Sequence, residues 1–310
     1  MEKLMTFCGR AAWVALVGLM LAACRAESDG SAPPAAADVS PAEATEKWRA
    51  KHEEDYRRDY VTIAGLFPLK PGPNTAGSAP TNNIVLPSST PATLGRFVLE
   101  GEKVRFEPAP GANVTLRDKP VTAPLELKDD RERDRDELVV GDVRMVVHLS
   151  GDKRTIRVRD PNGSQAKSFA GFRWFPIDLQ YRVVGRFEKD AEPRSVKVLN
   201  TFGDVDEYKT EGVVEFTLQG QPLKLRPFTT RPKRFYFVFR DASSGQETYE
   251  AARFLYGDLR DDGTVVLDFN QAYNPPCAFN PFTTCPIPIP ENRLAVKILA
   301  GERRYGASGL

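Results

Sequence analysis

The side chains best suited to hold a ligand gather in residues 267–288, LDFNQAYNPPCAFNPFTTCPIP. Asn270, Tyr273 and Asn274 supply two amides and a phenol, and the two prolines after Asn274 stiffen the loop that carries them. A loop ordered in advance loses little freedom on binding, so it can present polar groups to a small molecule at low entropic cost. The plainer reading is a rigid cover over one end of a barrel. Cys277 and Cys285 lie eight residues apart in the same stretch. In an oxidising compartment a disulfide is their simplest expectation. Free thiols are one alternative. A metal site is another, but it would need further ligands.

Arg173 and Arg253 could hold an anion between them, and Trp174 could stack on a ligand. The competing reading is that such arginines satisfy carboxylates in buried networks. Carboxylates at strand ends and turns, Asp241 and Asp268 among them, could act as a glycosidase pair. An Asp before Ser or Gly, as in DASSG (241–245), more often caps its own backbone.

Other chemistries find little material. The chain has two histidines, His52 and His148, and neither has a metal-binding neighbour at finger or helical spacing. HExxH, GxSxG and GxxxxGK[ST] are absent, and no dinucleotide fingerprint follows a strand. No metal and no cofactor is expected.

The elements that must position these residues are short and alternating. VRFEP (104–108), VRMVVHL (143–149), RTIRVRD (154–160), YRVVGRF (181–187), RSVKVLN (194–200), VVEFTL (213–218), RFYFVFRD (234–241), TVVLDF (264–269) and LAVKIL (294–299) all read as strands. Gly, Asp, Asn and Ser turns separate them, and 25 prolines and 23 glycines scattered along the chain suit many short connections. KDDRERDRDE (128–137) is dense in charge of both signs and reads as a solvated loop or hairpin tip. One helix precedes the strands. Ser40 can cap it, Pro41 suits its first position and Glu43 completes a capping box, so it should run to about Arg58. Trp48, His52 and Tyr56, four apart, share the face expected to pack on the β unit.

GRFVLEGEKVRFEP (95–108) resembles VEFTLQGQPLKLRP (214–227). A second stretch pairs Phe169, Arg173, Trp174 and Asp178 with Tyr249, Arg253, Phe254 and Asp258, then Val183, Val184 and Phe187 with Val265, Val266 and Phe269. The fold expected is mainly β: an antiparallel barrel or sandwich built from two related β motifs, about 95–187 and 214–269, with one N-terminal helix. Together they form a single β-rich globular domain over 41–310.

Residues 1–23 read as a lipoprotein signal peptide. Lys3 and Arg10 precede a thirteen-residue apolar run, 11–23, too short to span a bilayer core of ~30 Å. Leu21-Ala22-Ala23-Cys24 matches a bacterial lipobox, which makes Cys24 the expected site of lipid attachment, palmitate included. Residues 24–40 are small, polar and rich in Pro and Ala, as in a flexible tether. Cleavage removes two of 43 basic and one of 42 acidic residues and leaves a formally neutral chain. No basic excess points to nucleic acid. The expected location is the cell envelope, lipid-anchored, and the outer membrane facing the periplasm in a Gram-negative host, because Arg25 rather than Asp follows the cysteine.

GLFPLKPGPNTAGS (65–78), RFYFVFRDASSGQETYEAARFL (234–255), DFNQAYNPPCAFNPFTTCPIPIPENRL (268–294) and AGERRY (300–305) together resemble the bacterial and archaeal family called domain of unknown function 1684. The resemblance covers about residues 46–305. It implies no activity, and no catalytic residue can be carried over from it. Some relatives lack a signal peptide, and if they keep both cysteines a site role for that loop gains over the disulfide. Three functions are therefore carried forward. The first is a membrane-tethered module binding a small polar ligand at Arg173, Trp174, Arg253, Asn270, Tyr273 and Asn274. The others are a carboxylate-dependent hydrolase and a protein of envelope assembly.

Overall fold

In the computed structural model residues 39–306 are described. The expected signal peptide, Cys24 and almost all of the expected tether lie outside them.

The helix α1 spans Pro41–Tyr56 and starts as its sequence dictates. The Ser40 hydroxyl accepts from the Glu43 N–H at 3.3 Å, and the Glu43 carboxylate accepts from the Ser40 N–H at 3.0 Å. Each bond satisfies a donor that a helix start would otherwise leave open. A π turn, Arg57–Val61, follows. It sets Tyr60 against Tyr56 at 4.6 Å and extends the aromatic face of Trp48, His52 and Tyr56 by one more ring.

The first half of the β structure joins two sheets. Six strands, among them Ile63–Pro68, Val143–Ser150 and Lys153–Arg159, make one. Five, among them Gly72–Gly77, Gly95–Glu100 and Lys103–Pro108, make the other. Their inward residues, including Phe97, Phe106, Met145, Ile156 and Val158, form one shared core.

The second half repeats the two-layer plan. Arg182–Leu199, Val205–Leu218, Gln221–Leu225 and Thr264–Asp268 form a four-stranded sheet. Phe228–Arg231, Arg234–Phe239 and Arg253–Asp258 form a three-stranded one. Phe235, Phe237 and Phe239 point into the core between them, with Val214, Phe216 and Leu267. Tyr236 and Val238 point the other way, into a third core closed by α1 and by the loop around Tyr273 and Cys285. Arg234–Phe239 is thus buried on both faces, which is why RFYFVF reads as an unbroken apolar run. The fold is mainly β and sandwich-like, with one long helix at its start and no closed barrel.

The expected strands form, with two differences. Residues 181–187 and 194–200 belong to one long strand, bulged between Lys189 and Arg194. Residues 294–299 join no ladder, and the backbone bends at Ala295 and Val296. Their alternation is real, since Leu294, Val296, Ile298 and Ala300 are buried in the second core. Side chains replace much of the missing ladder: Arg253 binds the carbonyls of Ile298 and Ala300, and Asp241 accepts from the Ile298 N–H at 3.2 Å.

The segments 95–108 and 214–225 are both tight antiparallel hairpins, with left-handed backbone at Gly101 in one and at Gln219 and Gly220 in the other. The second matched stretch differs in form. Residues 169–178 are irregular, whereas Arg253–Asp258 is a strand. Val183 and Val184 lie directly across from Leu267 and Val266 in adjacent strands.

Candidate functional site

Of the six residues that the sequence singles out, Arg253, Asn270, Tyr273 and Asn274 are buried, and Arg173 and Trp174 are half-buried. Arg253 is fully buried. Its guanidinium donates to Asp241 at 2.8 Å, to the Ile298 carbonyl at 3.0 Å and to the Ala300 carbonyl. Asn270 is held between Asp178 and Asp268, and its own carbonyl accepts two bonds from Arg49. Asn274 donates its N–H to Glu302 at 2.8 Å and its amide to the Arg303 carbonyl. The Trp174 indole donates to Glu53 of α1 at 2.7 Å, and Arg49 lies 4.8 Å above its ring. The Arg173 carbonyl accepts from the Arg303 N–H. Tyr273 packs beneath α1 among Trp48, His52 and Tyr56. Trp174, Tyr273 and Asn274 are thus gathered around α1 and the chain end, while Arg253 reaches into the second core. Asp268 is bonded by Thr45 and Asn270, and Asp241 by Arg253 and Ser243, so both acids proposed for hydrolysis carry structural bonds.

The chain end closes this layer through Gly301, which has φ +79°. A Cβ there would lie 2.2 Å from the Ala272 carbonyl oxygen, so only glycine admits the approach. It places Glu302 under Asn274, where burial pushes the carboxyl up to about 8 and keeps it protonated at neutral pH.

A cluster of tyrosines lies one layer further on. Tyr56 and Tyr60 lie at the end of α1, Tyr208 and Tyr236 on strands, Tyr256 opposite Tyr236, and Tyr273 in the loop. Ring centroids are 4.6 Å apart for Tyr56 and Tyr60, 5.5 Å for Tyr56 and Tyr273, 6.5 Å for Tyr256 and Tyr273, and 5.0 Å for Tyr236 and Tyr256. Burial raises the pKa of all six phenols, so each remains a neutral donor and acceptor. Yet Tyr56, Tyr60 and Tyr208 keep part of their surface open, and Tyr256 is 36% exposed. The cluster is thus a packed aromatic core that reaches the surface at these rings.

Arg157 enters beside Tyr60 from the first sandwich. It is 9% exposed, and its Nη1 donates to Asp130 at 3.3 Å. Its Nε–H has no partner among the described residues. A buried guanidinium N–H left unpaired is costly, and a ligand oxygen would remove that cost. The Arg234 guanidinium lies 4.8 Å over Tyr256.

Asp130 and Thr284 meet at His148 on the same side. His148 Nδ1 is 2.6 Å from Asp130, and Nε2 is 3.0 Å from the Thr284 hydroxyl. Burial holds the imidazole below its usual pKa despite the carboxylate beside it. Burial would raise Asp130, but the bond from His148 and the charge of Arg157 help bring it below its usual value. At neutral pH this favours a neutral histidine that donates from Nδ1 to a charged acid and accepts at Nε2 from threonine.

Both cysteines border this loop. The expected disulfide is not formed: Cys277 and Cys285 are free thiols, and the Cys277 N–H donates to the Cys285 sulfur at 3.4 Å. The loop is held instead by side chains, with Asn280 donating to the carbonyls of Tyr60 and Ile63.

Two concavities lie elsewhere. One, about 770 Å³, is an open trough on the outer face of the four-stranded sheet near Val184, Arg186 and Lys224. Another, about 390 Å³, has Arg58, Arg135, Arg144 and Arg159 facing Asp59 and Glu137. Neither is lined by the buried, unpaired donor of Arg157 that lies beside the tyrosine cluster. Among the described residues no three His, Cys, Asp or Glu side chains gather to hold a metal ion, and no helix is long and apolar enough to cross a membrane.

The model of a family described as "Protein of unknown function (DUF1684)" matches residues 167–303. Among solved structures, an uncharacterised protein of Haloarcula marismortui determined by solution NMR is 31% identical, over 45% of this chain and 79% of that one, with a TM-score of 0.38. A structure from work on phosphothreonine-dependent FHA domain interactions is 17% identical, over 31% and 93% of the two chains, with a TM-score of 0.21. Mycobacterium tuberculosis EmbR in complex with a low affinity phosphopeptide is 15% identical, over 38% and 31%, with a TM-score of 0.22. No curated protein matches. The matched region holds Tyr208, Tyr236, Tyr256, Tyr273 and Thr284, whereas Tyr56, Tyr60, Asp130, His148 and Arg157 precede it.

Proposed function

Because the chain belongs to the family described as protein of unknown function DUF1684, which supplies no activity, we propose its function from the tyrosine cluster: it is an envelope lipoprotein, anchored through Cys24, that binds a small polar ligand in a recess between its two sandwiches. The observation that carries this reading is the unpaired Nε–H of Arg157 beside a lining of neutral tyrosines. Phenol rings stack on the flat faces of sugars, their hydroxyls bond to ligand hydroxyls, and a guanidinium selects a carboxylate or similar oxyanion. The ligand class is therefore a sugar acid or an acidic envelope fragment.

Calorimetric titration with hexuronic acids and N-acetylmuramic acid tests this. At least one should bind, and Tyr256→Ala should weaken it about two- to tenfold, equivalent to the ~0.5–1.5 kcal/mol of one ring contact. No binding by any acid of the panel would overturn the ligand class. The anchor is tested separately, since palmitate should label the wild-type protein and not Cys24→Ser. A role in envelope assembly is the second reading. It is favoured by Leu199, Phe202 and Val205, each about half exposed at the tip of the long hairpin.

A further inference from the structure

We propose that Thr284, His148 and Asp130 act as nucleophile, general base and positioning acid, so that the recess cleaves a carboxylic ester of the bound ligand. The inference rests on the recess being the ligand site. It is carried by geometry across three segments distant in sequence. Asp130 comes from the charged run 128–137, His148 from the strand Val143–Ser150, and Thr284 from the proline-rich loop.

The bonds from acid to imidazole and from imidazole to hydroxyl, 2.6 and 3.0 Å, lie within the reach that proton transfer requires. Arg157 and the Leu149 N–H also bond to Asp130, fixing its carboxylate against the ring. The structural bonds of the loop fall on the neighbours of Thr284. Thr283 donates to the Asn280 carbonyl, and Thr201 engages the Thr283 carbonyl and the Cys285 N–H. Among the described residues the Thr284 hydroxyl bonds to His148 alone, on a residue that keeps part of its surface open.

The step balances without a cofactor. Thr284 Oγ1 attacks the ester carbonyl carbon while its proton passes to His148 Nε2. The bond from that carbon to the alcohol oxygen breaks, and the alcohol leaves with the proton from Nε2. Water then attacks the acyl-threonine, gives one proton to Nε2 and releases the acid, after which that proton returns to Thr284. The net change is ester plus water to acid plus alcohol.

The test uses the full chain with p-nitrophenyl acetate as substrate and a fluorophosphonate as covalent probe. The fluorophosphonate exchanges its P–F bond for a P–O bond to the nucleophile. The expected result is a phosphonyl group on the peptide containing Thr284, found by mass spectrometry, together with release of p-nitrophenol. Thr284→Val and His148→Gln should abolish labelling. Asp130→Asn should slow turnover at least about a hundredfold with little change in KM, because it loses the partner that orients His148. Thr284→Ser should retain labelling, which guards against a variant that merely unfolds. An unlabelled Thr284 in a protein that still binds an acid of the panel would overturn the acyl-transfer inference and leave the binding reading intact. Absence of both would remove both.

Discussion

Arg253 and Asp241 meet at 2.8 Å with neither side chain reaching solvent. Arg253 also holds the carbonyls of Ile298 and Ala300, while Asp241 holds the Ile298 N–H and caps its own turn through Ser243. The pair therefore performs the work of a strand partner for residues 294–300. It satisfies backbone groups that would otherwise be buried without bonds, and so lets Leu294, Val296 and Ile298 complete the second core.

Removing one partner leaves a buried charge and orphaned backbone groups. Arg253→Met should cost about 3–5 kcal/mol in urea unfolding, in the range of a broken buried ion pair. Hydrogen exchange should speed up at Ile298 before it does in Arg234–Phe239. An Arg253→Met, Asp241→Leu double variant should be less destabilised than the two single changes summed, since it removes the charge that each leaves stranded. Simple additivity would show that the pair does not act as a unit.

Glu302 makes stability fall as pH rises. Its carboxyl ionises near 4.5 in the unfolded chain and at about 8 in the folded one, because burial disfavours the charge. Below pH 4.5 both states are protonated and nothing is lost. Between about 4.5 and 8 the unfolded chain releases a proton that the native state keeps, which favours unfolding. Glu302→Gln, which mimics the protonated acid, should flatten thermal stability across that window and raise the melting temperature at pH 8. An unchanged pH profile would place the charge elsewhere.

His52 acts in the opposite direction. Burial holds its imidazole at about 3, against 6.5 in the unfolded chain. It lies 4.8 Å from the Trp48 ring and 4.1 Å from that of Tyr56, and its Nε2 has no partner among the described residues. As pH falls from 6.5 toward 3 the unfolded state takes up a proton that the folded state refuses, so stability drops. His52→Phe keeps the stack and removes the titration, so it should gain stability at pH 5 relative to pH 8. The windows of His52 and Glu302 overlap between 4.5 and 6.5 with opposite slopes. The wild-type protein should therefore show a flat region there that each single variant tilts.

The elements of this fold were more legible in the sequence than the site they build. The capping box at Ser40 and the four-residue spacing of Trp48, His52 and Tyr56 are local signals, and both are realised. So is the alternation of 294–299, although side chains rather than a ladder take its backbone bonds. The proposed site is different. Tyr236 and Tyr256 occupy ordinary strand positions whose facing is visible only once both sides of Arg234–Phe239 are known to be buried. Asp130 was hidden in a run of mixed charge that reads as solvated, and Thr284 in a polar pair beside a cysteine. Only tertiary contact, 18 residues away for Asp130 and 136 for Thr284, joins each to His148. The polar loop attracted attention for its composition. That composition serves to fix the loop, as the bonds of Asn270, Asn274 and Asn280 show.

The two thiols of that loop should differ sharply in reactivity. Cys285 is buried, and desolvation raises its pKa well above the usual thiol value. Cys277 is partly exposed, and a bond with Cys285, with a further one from Tyr249, holds its pKa below the usual value despite burial. The thiolate is the reactive form, so iodoacetamide at pH 7.5 should modify the peptide carrying Cys277 and spare Cys285 until the protein is denatured. Tyr249→Phe removes one donor to the Cys277 sulfur and should slow that labelling several-fold. Absence of labelling at both positions in denaturant without reductant, restored by adding reductant, would mean that the pair is oxidised. The loop would then owe its rigidity to a covalent bond rather than to Asn280 and Thr283.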